Sequence, residues 1–499
     1  MPARTGAEYV EGLRTRPPEL WVEGQRVPDP TAHPAFRNVV RSLAALYDAQ
    51  HDPALREEMT YVSPSSGARV GMSFLVPRSR EDLARVRRMM KRWADYSGGM
   101  MGRTPDYLNR ALTAYAAAAD YCAQNDPRFG ENIRRYYEYV REHDLVLTHT
   151  LINPQANRSV GPGGQADPTL AARVLRQTAE GLVIRGARML ATLPVADELM
   201  VFPSTLLKAT EEDRPYAFAF AIPTATPGLR FLCRESFHHG GTDFDHPLAA
   251  RFEEMDAVVI FDDVLVPWER VFLLGDVDRC NKAFGATNAV VHMAHQVVTK
   301  NVAKTEFVLG VASLIVDAIA IESFQHVQAK IAEIIYYLET MKAFLRAAEA
   351  DAQVDKWGVM TPAWPPLDAA RNMFTWMYPR MIEIVQLLGA GGLMARPTRA
   401  DVEGPLGQAV EKYYQAARLP AVDRIKLFRL AWDLALSSFG SRQVIYERFF
   451  FGDPVRMQMA TFANYDRTPY VERVRAFLDR SGVPDSAAAL SAGALSEGK

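Results

Sequence analysis

The stretch at residues 255–275, MDAVVIFDDVLVPWERVFLLG, decides the fold class because its residue composition differs from that of the long helical segments elsewhere in the chain. It is rich in β-branched residues, carries an Asp-Asp pair suited to a turn, and ends at a glycine. Residues 216–237, YAFAFAIPTATPGLRFLCRESF, alternate in a similar way between Pro and Gly punctuation. We therefore predict a small β domain in the middle of the chain, at residues 149–280.

The chain before this β domain has the periodicity of helices. Apolar side chains recur at helical spacing in residues 80–99, 108–122 and 131–147. These segments predict a helical N-terminal domain at residues 1–148. A stretch at 168–193 also looks helical, although its second half could equally be a strand.

The chain after the β domain contains four long amphipathic segments, at residues 290–321, 324–353, 370–389 and 421–452. Four such helices favour a bundle, which we place at residues 281–480. Residues 481–499 are small and polar and predict a disordered tail. The predicted protein is therefore mainly α-helical with a central β domain.

Composition excludes several classes of protein. The chain has 499 residues with 57 basic and 59 acidic side chains, so its net charge of −2 gives no attraction to nucleic acid or to a membrane. No apolar run is long enough to span a bilayer, and the N-terminus lacks the apolar region of a signal peptide. Three cysteines lie far apart with no CxxC pair, which predicts a reducing, cytoplasmic environment.

The common nucleotide and hydrolase motifs are absent. The sequence has no GxxxxGK[ST], no GxGxxG after a strand, no HExxH and no GxSxG. His292 and His295 share a helix face, but no carboxylate stands on the adjacent turns before Glu306. We therefore expect these histidines to line a pocket and expect no metal site.

Five segments together resemble one family. They are GRTPDYLN (102–109), THTLINPQANRS (148–159), RGARMLATLPVADELMVFPS (185–204), DHPLAARFEEMDAVVIFDDVLVPWERVF (245–272) and ERFFFGDP (447–454). In order and spacing they are similar to the 4-hydroxyphenylacetate 3-hydroxylase family, the oxygenase components of two-component flavin monooxygenases. The resemblance implies an acyl-CoA dehydrogenase-like fold: an N-terminal helical domain, a middle β-barrel and a C-terminal four-helix bundle.

The resemblance also implies an activity. A separate NAD(P)H-dependent reductase would supply FADH2, which explains why this chain needs no dinucleotide motif. Bound flavin and O2 would form a C4a-hydroperoxide that hydroxylates a para-substituted phenol, such as 4-hydroxyphenylacetate or a tyrosine derivative, ortho to its hydroxyl to give a catechol. The cofactor carries the chemistry and the protein supplies positioning. The family likeness further implies a homotetramer.

Individual residues follow from the same resemblance. Arg103, Tyr107 and His149 match the phenol site, with Ser204 and Thr205 near the substrate tail, and His295 is a second candidate base. Arg442 and Arg448 are candidate partners of the FAD phosphates. The remaining expected flavin contacts are His149, Gln155, Ala156, Asn157, Arg158, Thr192, Gln386, Phe451, Gly452, Asp453 and Pro454.

The alternatives have other requirements. Taken alone, Arg103 and Tyr107 fit a surface arginine beside a packed tyrosine, and Pro154 fits a simple helix end. An acyl-CoA dehydrogenase needs a carboxylate facing the flavin, and a 4-hydroxybutyryl-CoA dehydratase needs cysteine and histidine ligands for an iron–sulfur cluster. A non-catalytic assembly protein would use the long helices alone. Which phenol is the substrate stays open.

Overall fold

Two β-sheets occupy the middle of the chain, with helices before and after them. The computed structural model describes residues 3–238 and 242–479, so the predicted tail at 481–499 lies outside the described residues. The strands are β1 Leu20–Val22, β2 Gln25–Val27, β3 Thr60–Val62, β4 Arg69–Gly71, β5 Leu147–Thr150, β6 Arg173–Gln177, β7 Gly181–Thr192, β8 Glu198–Val201, β9 Phe218–Pro223, β10 Leu229–Cys233, β11 Asp256–Pro267, β12 Val271–Leu274, β13 Gln353–Val354 and β14 Met360–Thr361.

Helices dominate the two ends of the chain. Those before the main strands are α1 Gly6–Thr15, α2 Arg37–Asp48, α3 Arg56–Met59, α4 Arg80–Tyr96, α5 Pro105–Ala117, α6 Ala119–Ala123 and α7 Pro127–His143. Those that follow are α8 Ala249–Phe252, α9 Val277–Ala286, α10 Ala289–Ala318, α11 Gln325–Ala350, α12 Trp364–Gly389, α13 Arg399–Glu403, α14 Gly407–Tyr413, α15 Ala421–Ala435, α16 Ser438–Phe449, α17 Pro454–Asn464 and α18 Thr468–Leu478.

The larger sheet has six strands in the order β2-β1-β10-β11-β7-β6, and the smaller has four in the order β12-β9-β8-β5. The two sheets meet where β5 runs beside β7. The Thr148 hydroxyl donates to the Thr192 carbonyl, the Thr150 hydroxyl donates to the Met189 carbonyl, and both O–O distances are 2.8 Å. These bonds fix the end of β5, and with it His149, against the larger sheet.

The helix predicted for the first half of 168–193 is wrong, because β6 lies there, whereas the second half forms the strand β7 that the sequence left open as an alternative. Strand β7 pairs antiparallel with β11 from Gly181↔Pro267 to Thr192↔Asp256. A Cβ on Gly186, whose φ is +116°, would lie 2.4 Å from the Ala171 carbonyl oxygen. Pairing with a distant strand therefore outweighs the local helical pattern.

The N-terminal region is helical as predicted, with strands that its periodicity did not reveal. Strand β1 pairs in parallel with β10, so the N-terminal segment contributes to the larger sheet. His149 also lies in a strand rather than beside a helix end, because α7 ends at His143 and Asp144 turns the chain with φ +47°. Three-residue strands are too short to show a period in the sequence.

Helices α10, α11, α12 and α15 pack as the predicted four-helix bundle. Helix α10 is buried along most of its length, because helices pack around it on several sides. The predicted fourth helix, 421–452, is interrupted at Leu436, and Ser437 caps α16 by accepting from the Gly440 amide at 3.1 Å. No helix in the described ranges is long and apolar enough to cross a membrane.

The chain divides into two compact units, Met1–Phe450 and Phe451–Lys499. The first contains both sheets and the bundle. The second contains α17 and α18.

Candidate active site

A glycine-containing segment before α5 lies unusually close to α10 and α16. A Cβ on Gly99 would lie 2.7 Å from the Lys304 backbone nitrogen, and a Cβ on Gly102 would lie 2.2 Å from the Tyr446 hydroxyl. Both positions exclude a side chain for lack of space. The close approach brings Arg103, the next residue, into the protein interior, where only 7% of it is exposed.

Aromatic rings surround the Arg103 guanidinium. Its central carbon lies 4.2 Å from the ring centre of Tyr107, 5.1 Å from that of Tyr446 and 5.2 Å from that of Phe450. Its Nη1 donates a hydrogen bond to the Tyr446 hydroxyl, and its backbone amide donates to the Glu254 carboxylate. The charge is thus held by ring faces, which attract cations.

Among the described residues, the Arg103 side chain has no carboxylate partner. No Asp or Glu within the described parts of the chain lies within ion-pair distance of its guanidinium, and its buried Nε has no hydrogen-bond partner there. Burial of an unpaired charge costs several kcal/mol. A buried cation left in this state is suited to bind an anionic oxygen of a ligand.

His149 stands beside this arginine in β5, which pairs in parallel with β8 through His149↔Met200. The centre of its ring lies 5.9 Å from that of Tyr107 and 5.1 Å from that of Phe202. Burial, and then the charge of Arg103, holds the pKa of His149 well below its ordinary value. The imidazole is therefore neutral near pH 7, and its buried Nδ1 has no partner among residues 3–238 and 242–479.

A second polar group lies at the end of β7. The Thr192 hydroxyl donates to the Asp256 carboxylate at 2.8 Å, and Arg442 donates to the same carboxylate from Nε at 2.8 Å and from Nη2 at 2.6 Å. Burial would raise the pKa of Asp256, but the charges of Arg442 and Arg234 outweigh it and hold this pKa well below its ordinary value. The ionised carboxylate fixes Thr192 as a donor. It also occupies Arg442, which we had expected to pair with FAD phosphate.

The segment after His149 is irregular, as Pro154 predicted, and its polar side chains are exposed. Asn157 stabilises it locally, because its Oδ1 accepts from the Ser159 amide at 3.0 Å and its carbonyl accepts from Gln165 at 2.9 Å. The exposed residues of this segment include all four that were predicted to contact flavin: Gln155, Ala156, Asn157 and Arg158.

The other predicted contacts lie in several elements. Ser204 is buried and Thr205 exposed in the segment after β8. Gln386 in α12 donates to the Ala435 carbonyl at 2.9 Å, and Arg448 is exposed on α16. The remaining predicted contacts open the second unit, where Asp453 caps α17 by accepting from the Val455 amide at 2.9 Å; these residues are Phe451, Gly452, Asp453 and Pro454.

His295 is engaged with a carboxylate on a neighbouring helix. Its Nε2 lies 2.7 Å from Glu349 Oε1, and Glu349 also accepts from Arg87 at 2.8 Å. His292, one turn earlier, contacts Arg110 at 3.5 Å and the Thr361 hydroxyl at 3.3 Å. The structure thus brings Arg103, Tyr107 and His149 together, whereas the role of His295 as a base stays a prediction.

Sequence reasoning missed the residues that surround Arg103 from the bundle side. Helix α16 presents a buried polar stripe, in which Tyr446 accepts from Arg103 and Glu447 accepts from the ammonium groups of both Lys300 and Lys304. The available signal was the pair of lysines at i, i+4 in a helix that is otherwise apolar.

The site has features that fit a flavin. Asn153 Oδ1 and His149 Nδ1 are buried and without a partner among the described residues, at the start of the exposed polar segment 155–158. Unpaired buried polar atoms are rare in folded proteins, because each costs a lost hydrogen bond. A planar ring with polar edges is the kind of group that would satisfy them.

The helical part, the two joined sheets and the bundle define the acyl-CoA dehydrogenase-like fold. A solved archaeal 4-hydroxybutyryl-CoA dehydratase from N. maritimus shares it, with a TM-score of 0.86 over 97% of this chain and 96% of that chain, at 20% identity. This likeness concerns the fold alone.

Comparison with known proteins identifies the family. Residues 5–273 match the 4-hydroxyphenylacetate 3-hydroxylase N-terminal family and residues 280–479 match its C-terminal family. The 4-hydroxyphenylacetate 3-monooxygenase oxygenase component of Thermus thermophilus is 56% identical over 96% of this chain and 98% of its own length. A solved oxygenase component of 4-hydroxyphenylacetate 3-monooxygenase, complexed with FAD and 4-hydroxyphenylacetate, matches with TM-score 0.92 and 56% identity over 95% of this chain and 98% of that chain. The chain belongs to the 4-hydroxyphenylacetate 3-hydroxylase family.

Proposed function

We propose that this chain is the oxygenase component of a two-component, FAD-dependent monooxygenase that hydroxylates a para-substituted phenol ortho to its hydroxyl. One observation carries the proposal. The buried guanidinium of Arg103, without a carboxylate partner in the described chain, lies beside Tyr107 and the neutral His149. The relatives at 56% identity carry the same activity in their names, and one was solved with FAD and 4-hydroxyphenylacetate.

Three side chains act on the phenol. Arg103 binds the phenol oxygen and stabilises the negative charge that develops on it as its proton leaves. Tyr107, whose ring packs on that guanidinium, donates a hydrogen bond to the same oxygen. His149, whose low pKa keeps its imidazole neutral near pH 7, accepts a hydrogen bond from the phenol hydroxyl.

FAD, when bound in its reduced form, supplies the activation of O2 that a side chain cannot provide. The residues that would hold it include those of the exposed segment 155–158 together with Thr192 and Gln386. Thr192 is oriented for this role, because its proton is committed to Asp256 and its lone pairs remain available to accept a hydrogen bond. Arg448, which is exposed, is a candidate partner of the phosphates.

The partners follow from the reaction class. An NAD(P)H-dependent flavin reductase supplies reduced FAD, and O2 is the second substrate. We also propose a homotetramer in the cytoplasm. The three free, buried thiols, Cys122, Cys233 and Cys280, support a reducing compartment.

The test mixes the protein with photoreduced FAD and aerated buffer containing one phenol from a panel: 4-hydroxyphenylacetate, a tyrosine derivative, 4-coumarate or a chlorophenol. We expect a catechol from at least one, measured by chromatography. Arg103→Ala should retain FAD binding but release hydrogen peroxide instead of product. The matched control is Arg135→Ala, which removes an exposed arginine paired with Glu131 on α7. Hydrogen peroxide alone from the wild type with every phenol would refute the proposal.

A further inference from the structure

On the bundle side, the Arg103 guanidinium bonds to the hydroxyl of Tyr446 and not to a carboxylate. We propose that Tyr446 is a positioning residue for the hydroxylation: its hydroxyl fixes the orientation of the Arg103 guanidinium without neutralising the charge. The inference rests on the proposed function, because it concerns how Arg103 is presented to the substrate.

Tyr446 is itself firmly held. Its ring stacks on Phe450 with centroids 5.1 Å apart and planes inclined by 7°. The central carbon of the Arg442 guanidinium lies 5.0 Å from the centre of the same ring, and the Lys300 ammonium nitrogen lies 5.6 Å from it. Gly102 leaves room for the hydroxyl, because any Cβ there would overlap it. The acceptor oxygen therefore has little freedom to follow a moving guanidinium.

The carboxylates near Arg103 are committed to other cations. Glu447 accepts from Lys300 and Lys304. Asp256 is paired with Arg442 and Arg234. Glu254 uses one oxygen for the Arg103 amide and lies 3.5 Å from Arg442 through the other.

The cluster consequently keeps one cation in excess. It contains five basic side chains, Arg103, Arg234, Arg442, Lys300 and Lys304, and four carboxylates, Glu253, Glu254, Asp256 and Glu447. The unmatched charge is that of Arg103, the one that faces Tyr107.

Tyr446 stays neutral in this setting. Burial raises the pKa of its hydroxyl well above the ordinary value, although the charge of Arg103 opposes the shift. A carboxylate in its place would hold the guanidinium equally well but would cancel the charge that binds a phenolate. A neutral acceptor on Nη1 leaves both the charge and the Nε edge of Arg103 for the ligand.

The experiment compares Tyr446→Phe, Arg103→Ala and the double variant. Phe keeps the ring that stacks on Phe450 and removes only the acceptor. The first measurement is the catechol yield per reduced FAD. We expect Tyr446→Phe to lower it about tenfold, the value of one hydrogen bond to a charged group. Because Arg103→Ala makes peroxide instead of product, the double variant is compared by 4-nitrophenol binding; there Tyr446→Phe should have no further effect, because a residue that acts through Arg103 has no effect without it.

The second measurement needs no turnover. Absorbance titration of the flavin-free protein with 4-nitrophenol reports how strongly the phenolate form is bound, and Tyr446→Phe should weaken it about tenfold. Tyr121→Phe is the matched control, since it removes another tyrosine hydroxyl that is hydrogen-bonded, to the Arg279 carbonyl, away from this cluster. The thermal midpoints of the two variants should agree.

Each outcome decides the question. An equal weakening of 4-nitrophenol binding by Tyr446→Phe with and without Arg103 would overturn the positioning role, as would values that match Tyr121→Phe. If the wild type yields no catechol from any phenol, the proposed function fails. The 4-nitrophenol titration then tests the positioning role of Tyr446 by itself. Weaker phenolate binding in Tyr446→Phe would still support the inference, and unchanged binding would overturn it.

Discussion

Replacing each of two buried arginines by methionine should separate function from stability. Arg103 and Arg442 both belong to the charged cluster around α16, in which Arg442 itself lies. Met preserves most of the apolar stem of either side chain. Arg442 makes a two-pronged ion pair with Asp256, at 2.8 and 2.6 Å. Arg103 makes none with any carboxylate of the described residues and contacts three aromatic rings instead.

The structure gives the sizes of the two effects. Arg442→Met leaves the Asp256 carboxylate buried with Arg234 as its one remaining cation, and breaking a buried pair costs about 3–5 kcal/mol. Arg103→Met removes an unpaired buried charge, which returns several kcal/mol of desolvation energy. It also loses three cation–ring contacts at about 0.5–2 kcal/mol each. These terms nearly cancel, so we expect a change in unfolding free energy of at most about 1 kcal/mol.

For Arg103→Met we expect a large loss of activity beside a small change in stability. Loss of a positioned cation at a developing negative charge lowers turnover about 10²- to 10³-fold. The assay is urea unfolding followed by far-UV circular dichroism, together with catechol yield per reduced FAD. An Arg103→Met protein that is destabilised as strongly as Arg442→Met would refute the reasoning, because Arg103 would then be a structural ion-pair partner.

Three further predictions concern the same cluster. Burial lowers the pKa of Lys300 to about 7, so unfolding takes up a proton between that pH and about 10, and the unfolding free energy should rise with pH in this window. Glu447→Gln should lower the unfolding free energy by about 3 kcal/mol. Urea unfolding measures both effects. Because the pKa of His149 is low in the folded protein, only the unfolded chain protonates this side chain just below about pH 6.5. The unfolding free energy of the wild type should therefore fall as the pH drops below about 6.5. That of His149→Ala should fall less, and this variant should give no catechol. Gly102→Ala should displace Tyr446, cost about 1–3 kcal/mol of stability and reduce catechol yield, since the added Cβ would lie 2.2 Å from the Tyr446 hydroxyl.

The order of the parts was predictable from sequence because long elements have a clear period. The four bundle helices extend over 15 to 30 residues, and the strands at 218–274 carry alternating apolar side chains. The family, fold and flavin-dependent monooxygenase class predicted from the five segments are confirmed by the comparisons. Strands β1, β2 and β5 were missed, and the helix predicted for the first half of 168–193 was wrong, whereas its second half is the strand left open as an alternative.

These errors have one cause. Strands β1 and β5 have three and four residues and exist because β10 and β8 lie beside them. Strand β7 is extended because β11, more than sixty residues later, supplies the hydrogen bonds along its length. Such partners are distant in sequence, so no local pattern records them.

The sequence by itself determined which residues could do chemistry. Arg103 and Tyr107 stand one helical turn apart across Pro105, and Pro154 ends regular structure after His149. Only the tertiary structure decided that Arg103 would be buried without a carboxylate partner among the described residues, because packing brings its basic and acidic neighbours together from distant parts of the chain. Charge balance in a buried site depends on which side chains meet there, and that is settled by packing between distant segments rather than by spacing along one of them.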